Sequence, residues 1–286
     1  MRSEMLLSTL EAVSFHVGDI GPGQSVKLPT SPLFYAPAVA SCDALCRSVR
    51  GGVPAQQAWR TFVGSSANSV AVGPFAPFLL DGSYDRSGTL EIAVKDMGLT
   101  IQQADELGVG LPIGRAGEKR YSQPGRKFDR YDNHLGVVEL ARVAFRVRLH
   151  VPGYRAPSKC GADPAHPPDQ EFLTDAVGRT KPKREHVFPL HDVPQANAQI
   201  RLIECLAREL THVNRLILAE ALDLRRGMGL SNALIYDVIT WSVEAFAWSG
   251  SHTGQYDNEK IVDPSAAVAP LKNIPHLIYP LKGELS

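Results

Sequence analysis

The stretch Ile20 to Ser31, IGPGQSVKLPTS, places Gly21 and Gly23 ahead of a lone lysine, Lys27, with Ser31 four residues beyond. Glycines let a ligand approach the backbone closely, and the free N–H groups at a helix start hold phosphate or carboxylate. A nucleotide loop does not fit the spacing. The third glycine and the following acidic residue of a dinucleotide fingerprint are missing, and Ser25 and Val26 stand where a P-loop carries the glycine before its lysine. The segment reads instead as a glycine turn at the entrance of a helix. Lys27 would be partly buried there, its pKa lowered by the positive helix end, and Ser31 would hydrogen-bond one turn later.

Other reactive residues are less suggestive. Cys42 and Cys46 are four apart in SCDALC, a metal-ligand spacing with no matching Cys or His pair nearby, and read as small buried apolar residues. His166, Asp169, His186, His191 and Asp192 match no standard metal spacing and read as loop residues; no metal site is expected.

Helices are expected to position these groups. Pro32 to Arg50 has helical periodicity interrupted by Pro37, which must kink the helix or mark its start. PAQQAWRTFVGSS opens a second helix at Pro54. Leu90, Val94, Met97, Ile101, Ala104 and Leu107 mark a third with a period near 3.6. DNHLGVVELARVAFRVRL reads as a fourth, capped by Asp132 or Asn133. Residues 151–185 are rich in Pro, Gly and charge, as a linker is. The strongest helical signal, about 30 residues or roughly 45 Å, begins near Gln195 and stops at Gly227 and Gly229. No strand pattern stands out.

The chain has 286 residues with 30 acidic and 30 basic side chains, so no global field draws it to nucleic acid or anionic membrane. No apolar run reaches membrane-spanning length and the N-terminus shows no leader pattern, so a cytoplasmic location is expected. CDALCRSVRGGVPAQQAWRTFVGSS and AEALDLRRGMGLSNALIYDVITWSV look alike. Gly52 pairs with Gly229, Trp59 with Tyr236 and Ser65 with Ser242, which suggests an internal duplication.

HVGDIGPGQSVKL followed by GTLEIAVKDMGLTIQQADELGVGLPIGRA resembles the C-terminal half of the β-hydroxyacid dehydrogenases. That family is typified by 3-hydroxyisobutyrate dehydrogenase and related to 6-phosphogluconate dehydrogenase. Its pattern is a glycine-rich approach to a catalytic lysine, an asparagine four residues on, and a later KD helix followed by A, G and LP. Gly21, Gly23 and Lys27 match the first part; Lys95, Asp96, Leu99, Ala104, Gly108, Leu111 and Pro112 match the second. The resemblance covers roughly residues 10–148 and, weakly, 195–250.

The resemblance implies an all-α fold: the family's helical domain, duplicated as a pseudo-dimer within one chain. Residues 1–150 would form the first domain, 151–185 a linker, and 186–286 a partial, degenerate second copy. It implies NAD(P)-dependent oxidation or reduction of a small 3-hydroxy acid, with NAD or NADP as cofactor. Lys27 would exchange a proton with the substrate oxygen, and Gly21, Gly23 and Ser31 would bind substrate. Lys95 would contact the nicotinamide cofactor, with Asp96 fixing its helix. The implied partners are the hydroxy acid and either further copies of the chain or a separate nucleotide-binding domain. Two departures bear on this. Ser31 replaces the asparagine among prolines that should disturb its helix, and the chain begins about where the family's Rossmann domain ends. Glu204 and Arg208 fall at the lysine and asparagine positions of the second copy, so no second catalytic set is expected. Two rival readings are a non-catalytic helical scaffold and a cofactor-free lysine lyase acting through Lys27. Without the resemblance, Lys27 and Lys95 read as solvated surface charges, as most lysines are. The expectation from this reading is that the chain by itself holds NAD(P) weakly; calorimetric titration yielding a micromolar dissociation constant with either cofactor would overturn it.

Overall fold

A computed structural model describes residues 22–69, 71–84, 88–123, 133–156, 172–174, 180–182 and 197–230. Its first helical run begins at α1 (Pro22–Lys27), tightens into a 3-10 turn (Leu28–Thr30), and continues as α2 (Ser31–Arg50). Four prolines occupy this run, the first of them, Pro22, at its opening position. Pro29 and Pro32 each sit in a first turn, where a missing N–H costs little, and Pro37 lies inside α2. The helix passes through Pro37, so Pro37 does not mark its start. In α2, 15 of the 20 residues are buried, so neighbouring elements must cover it on all sides.

The covering elements follow from local chemistry. Gly51 and Gly52 close α2, Gly52 at φ +85, and Pro54 then caps α3 (Ala55–Val63). Its Trp59 and Phe62 enter the core, and Trp59 Nε1 donates to Val72 O at 2.8 Å. Residues expected to be a loop form a single π-helical turn, Ala71–Phe75, in which Ala76 N–H reaches Ala71 O at 3.1 Å. A short α4 (Pro77–Leu80) follows.

Thr89 opens α5 (Leu90–Glu106), its hydroxyl accepting from Ile92 N–H. Gly108, at φ +67, then turns the chain into α6 (Pro112–Tyr121), where proline takes the favoured first position. Sequence reasoning missed α6, because two glycines and a run of charges mask its amphipathicity. Asn133 is the cap of the fourth expected helix, accepting from Leu135 N–H at 2.9 Å. That helix is a 3-10 turn (His134–Val137) leading to α7 (Val138–Phe145), which stops at Arg146 with φ +53 rather than continuing through Leu149. Residues Phe172–Thr174 and Thr180–Pro182 pair as a two-stranded antiparallel hairpin, β1 and β2. These strands lie within the stretch read as linker, where Pro, Gly and charge hide any alternation. The architecture is otherwise helical among the described residues.

The last described element, α8 (Asn197–Gly227), spans 31 residues and runs antiparallel to the α1–α2 rod. Leu202 packs where a side chain on Gly51 would stand, Arg47 pairs with Glu209 at 2.9 Å, and Ile217 and Ala221 pack with Leu33 and Ala36. Near its end, Arg225 reaches Val26. The inward stripe Ile203, Leu206, Leu210, Val213, Ile217 and Leu224 is buried, each side chain contributing about 1.5–3 kcal/mol by leaving water. The opposite face, including Glu204 and Arg208, is exposed, so α8 is buried along one stripe rather than over most of its surface. Gly229 ends it at φ +77, a conformation shared by Gly52 and three other described glycines. The second copy of the proposed repeat is described only as far as Leu230; the remainder, and the histidines at 166, 186 and 191, lie outside the described residues. No described helix is long and apolar enough to cross a membrane.

Gly117 sets the approach of α6 to α2 and α5. A Cβ there would lie 3.2 Å from Ala36 Cβ, 3.3 Å from Ala36 Cα and 3.3 Å from Met97 Cε, so α6 meets α2 and α5 through a glycine. Gly117→Val is expected to overpack this crossing and lower stability by about 1–3 kcal/mol. Denaturant unfolding reads this directly, and an unchanged midpoint would mean the helices part without cost.

Candidate functional site

Lys27 is the last residue of α1, with the helical run continuing beyond it, and its side chain is exposed. The expected helix entrance is therefore five residues earlier. Pro22 starts the helix, so Lys27 has no free N-terminal amides around it and the argument from a positive helix end falls. Gly23 is exposed within α1, and Gly21 lies outside the described residues. Ser31 opens α2 one turn beyond Lys27, half-buried, its N–H bonded to Leu28 O. The prolines do not break this path; they fall at first-turn positions.

α5 lies against this junction. Thr100, fully buried, shares its hydroxyl proton between Leu28 O at 2.9 Å and Asp96 O at 2.8 Å. One turn before Thr100, Lys95 Nζ lies 3.1 Å from Asp96 Oδ1, the lysine side chain 61% exposed and the aspartate 14%. Asp96 thus pairs with the ammonium head of a lysine side chain that otherwise lies largely in solvent. Asp96 also acts on Tyr35, one turn past Ser31: burial first, then this negative charge, push the Tyr35 phenol up to about 12. The Thr100 bond to Leu28 O and the influence of Asp96 on Tyr35 thus set α5 against the junction of α1 and α2.

An aromatic group supports Tyr35. Its ring meets Phe34, Tyr121 and His134 edge to face, with centroids 5.1, 5.4 and 5.7 Å apart. His134 is wholly buried, and burial holds it down to about 4, a neutral imidazole at neutral pH.

Several charges lie deeper. Arg120 Nη2 bonds Asp43 Oδ1 at 2.7 Å inside the core. Burial pushes Asp43 up to about 6 against the opposing pull of Arg120 and Arg47. Cys42 and Cys46 flank this pair, buried as expected, and burial raises both thiols. Glu220 of α8 accepts the N–H groups of Ile113 and Gly114 at 2.7 and 2.9 Å. It thereby caps α6 from a different helix, since Leu111 supplies no side-chain cap. No group of three potential metal ligands occurs among the described residues.

Sequence reasoning missed Tyr35, Thr100, Glu220 and Arg225. The last two carried a signal: both fall on the apolar register of α8, where a charge needs a partner within the protein.

The motif residues of the second segment also acquire structural reasons. Ala104 and Leu111 pack with Leu224, Gly108 makes the left-handed turn and Pro112 starts α6. Residues 21–141 match a family model described as NAD-binding of NADP-dependent 3-hydroxyisobutyrate dehydrogenase. A 2-(hydroxymethyl)glutarate dehydrogenase from Eubacterium barkeri is 27% identical over 109 residues, 38% of this chain and 36% of that relative. An L-threonate dehydrogenase from Escherichia coli K12 is 29% identical over 114 residues, 38% of each chain. The chain thus spans little more than a third of the length of these relatives. No solved structure matches it. The Lys27 and KD segments both lie inside residues 21–141, the part of the chain that is similar to this dehydrogenase family.

The Glu220 cap generates a pH prediction. Burial, the largest influence, and then the Asp223 charge raise its carboxyl from an ordinary 4.5 to about 7, while the two backbone N–H groups pull the other way. A carboxyl raised in the folded state contributes stability that is fully present below pH 4.5 and is lost as pH rises through about 7. Unfolding curves at successive pH values should show wild type losing stability relative to Glu220→Gln across that window and holding a constant difference above it. Parallel curves would show that Glu220 titrates as an exposed carboxyl.

Proposed function

We propose that this chain forms the helical, substrate-facing part of an NAD(P)-dependent dehydrogenase of a small 3-hydroxy acid. The observation that carries this reading is the Thr100 to Leu28 hydrogen bond, which sets the helix bearing Lys95 and Asp96 against the Lys27 turn. The relatives named above act, by name, on 2-(hydroxymethyl)glutarate and L-threonate, both hydroxy acids.

The donor set suits an anion and a polar cofactor edge. The Lys95 ammonium is paired with Asp96 on a side chain that is largely exposed, and Gly98, three residues on, leaves open space where a side chain would stand. In this reading Lys95 holds the cofactor and Asp96 orients Lys95. When bound, the nicotinamide supplies the hydride acceptor. The chain's own residues bind and move the proton: Lys27 takes the proton from the substrate hydroxyl oxygen as the carbonyl forms. Ser31 donates to or accepts from the substrate one turn away, and Gly23 leaves α1 unobstructed before the lysine. The choice between NAD and NADP, and the particular acid, belong to parts of the site that these residues do not specify.

The chain is further read as a first domain over 1–150 and a degenerate second copy over 186–286, with further copies or a nucleotide-binding domain as partners. The matching positive φ at Gly52 and Gly229 supports the duplication.

Lys27→Ala should reduce turnover by ~10²–10⁴-fold while shifting stability by no more than about 0.5 kcal/mol. Lys27→Arg should fail nearly as badly, because a guanidinium stays protonated. Ser31→Asn should match or exceed the wild type. The measurement is turnover of short 3-hydroxy acids with NAD or NADP, by this chain and by a fusion to a relative's Rossmann domain, with melting temperatures alongside. Wild-type turnover in Lys27→Ala would sink the assignment.

A further inference from the structure

The backbone on both sides of Lys27 is held from outside its own helix. Val26 O, just before it, accepts from Arg225 Nη2 of α8 at 3.3 Å. Leu28 O, just after it, accepts from Thr100 Oγ1 of α5 at 2.9 Å. Arg225 and Thr100 are each completely buried. Between them, Lys27 O accepts the Thr30 hydroxyl at 2.6 Å.

The sequence explains why these carbonyls are open to outside donors. A helix continues by each N–H bonding a carbonyl three or four residues back, and proline has no N–H. Pro32 cannot serve Leu28 O in the α register, and Pro29 cannot serve Val26 O in the tighter register of the 3-10 turn. Leu28 O keeps the Ser31 N–H and takes Thr100 as its second donor. A buried carbonyl left short of donors is costly, and a buried guanidinium more so, so each satisfies the other. The prolines thus turn a stretch of ordinary helix into a junction whose geometry two other helices dictate.

We propose that Arg225 and Thr100 are positioning residues that clamp the turn bearing Lys27, so that α8, outside the segment matched to the dehydrogenase family, completes that segment's site. This deepens the dehydrogenase reading and rests on it for its catalytic consequence. It also gives the chain beyond residue 141 a role in the chemistry: α8 lies along α2 and reaches the turn with its last full turn. A reacting group on an exposed, flexible stem exchanges a proton efficiently only if its Cα is fixed, since small misplacements of a reacting group are expensive.

The test uses the full chain and two readouts. Amide hydrogen exchange at Lys27 and Leu28 reports the clamp, with Leu45 and Cys46 in the middle of α2 as references. Thr100→Val removes the donor at nearly constant shape, Thr100→Ser keeps it, and Arg225→Met removes the guanidinium at similar volume. Exchange at Lys27 and Leu28 should rise about five- to tenfold in Thr100→Val and Arg225→Met. It should stay near wild type at Leu45 and Cys46, and Thr100→Ser should restore it. In the same variants kcat should fall about 10- to 100-fold with KM nearly unchanged, and Thr100→Ser should recover kcat. Unchanged exchange at Lys27 and Leu28 in Thr100→Val overturns the clamp, and that pair of Thr100 variants decides the matter even if Arg225→Met fails to fold. A wild-type chain without dehydrogenase activity overturns the function reading instead, while the exchange pattern still decides the clamp.

Discussion

A helix that is apolar around its whole circumference has to be covered around its whole circumference, and α2 imposes that demand on the rest of the chain. Its small residues, Ala36, Ala38, Ala40 and Ala44, allow neighbours to come close, and its larger ones, Leu33, Val39 and Leu45, need neighbours to bury them. Five helices and a π-helical turn arrange themselves accordingly, and α8 covers the longest side. Burial of this kind is non-directional, so it determines that helices gather around α2 and leaves their register open. Register is fixed by directional contacts: the glycine crossing at Gly117, the Arg47–Glu209 pair, and the polar groups that α8 carries into its apolar stripe.

Those polar groups are a consequence of the same packing. Glu220, Arg225 and Asn214 lie on the inward face of α8, and each has taken a backbone partner on another element. Asn214 donates to the carbonyls of Ala67 and Asn68, Glu220 caps α6, and Arg225 reaches Val26. A buried charge pushed out of register by one helical turn would lose its partner and keep its desolvation cost. The inward stripe therefore holds α8 by apolar area and aligns it by three polar side chains. The Arg120–Asp43 pair plays the corresponding part between α6 and α2.

The region around Lys27 shows the same division of labour on a smaller scale. Prolines interrupt the local hydrogen-bond ladder, and tertiary donors complete it. The outcome is a lysine that is exposed at its head and held through the carbonyls on either side of it, while α5, packed on the same junction, carries a second lysine whose ammonium pairs with Asp96. Tyr35 faces the same aspartate from a bed of aromatic rings, with His134 neutral beneath it. Such a place keeps its charged groups at its margin and its neutral groups inside.

Much of this was readable in the residues themselves. The helices over 31–50, 55–63, 90–106 and 197–227 follow from apolar spacing and from the glycines and prolines at their ends. The burial of Cys42 and Cys46 and the Asn133 cap followed from local rules, because periodicity and capping depend on neighbours within one or two turns. The Lys27 and KD motifs were likewise local patterns. What escaped were α1 and α6, whose glycines and prolines weaken every local signal, and the short hairpin in the Pro-rich stretch. Lys27 was placed at a helix entrance because a glycine turn is the commoner neighbour of such a lysine; in the structure Pro22 starts the helix five residues earlier. Sequence also showed that Glu220 and Arg225 were charges on an apolar face, but their partners, the α6 amides and Val26 O, lie about a hundred and about two hundred residues away in the chain. Which orphaned group meets which buried donor is decided when helices dock, and only the tertiary structure can decide it, because those bonds join atoms that no local rule brings together.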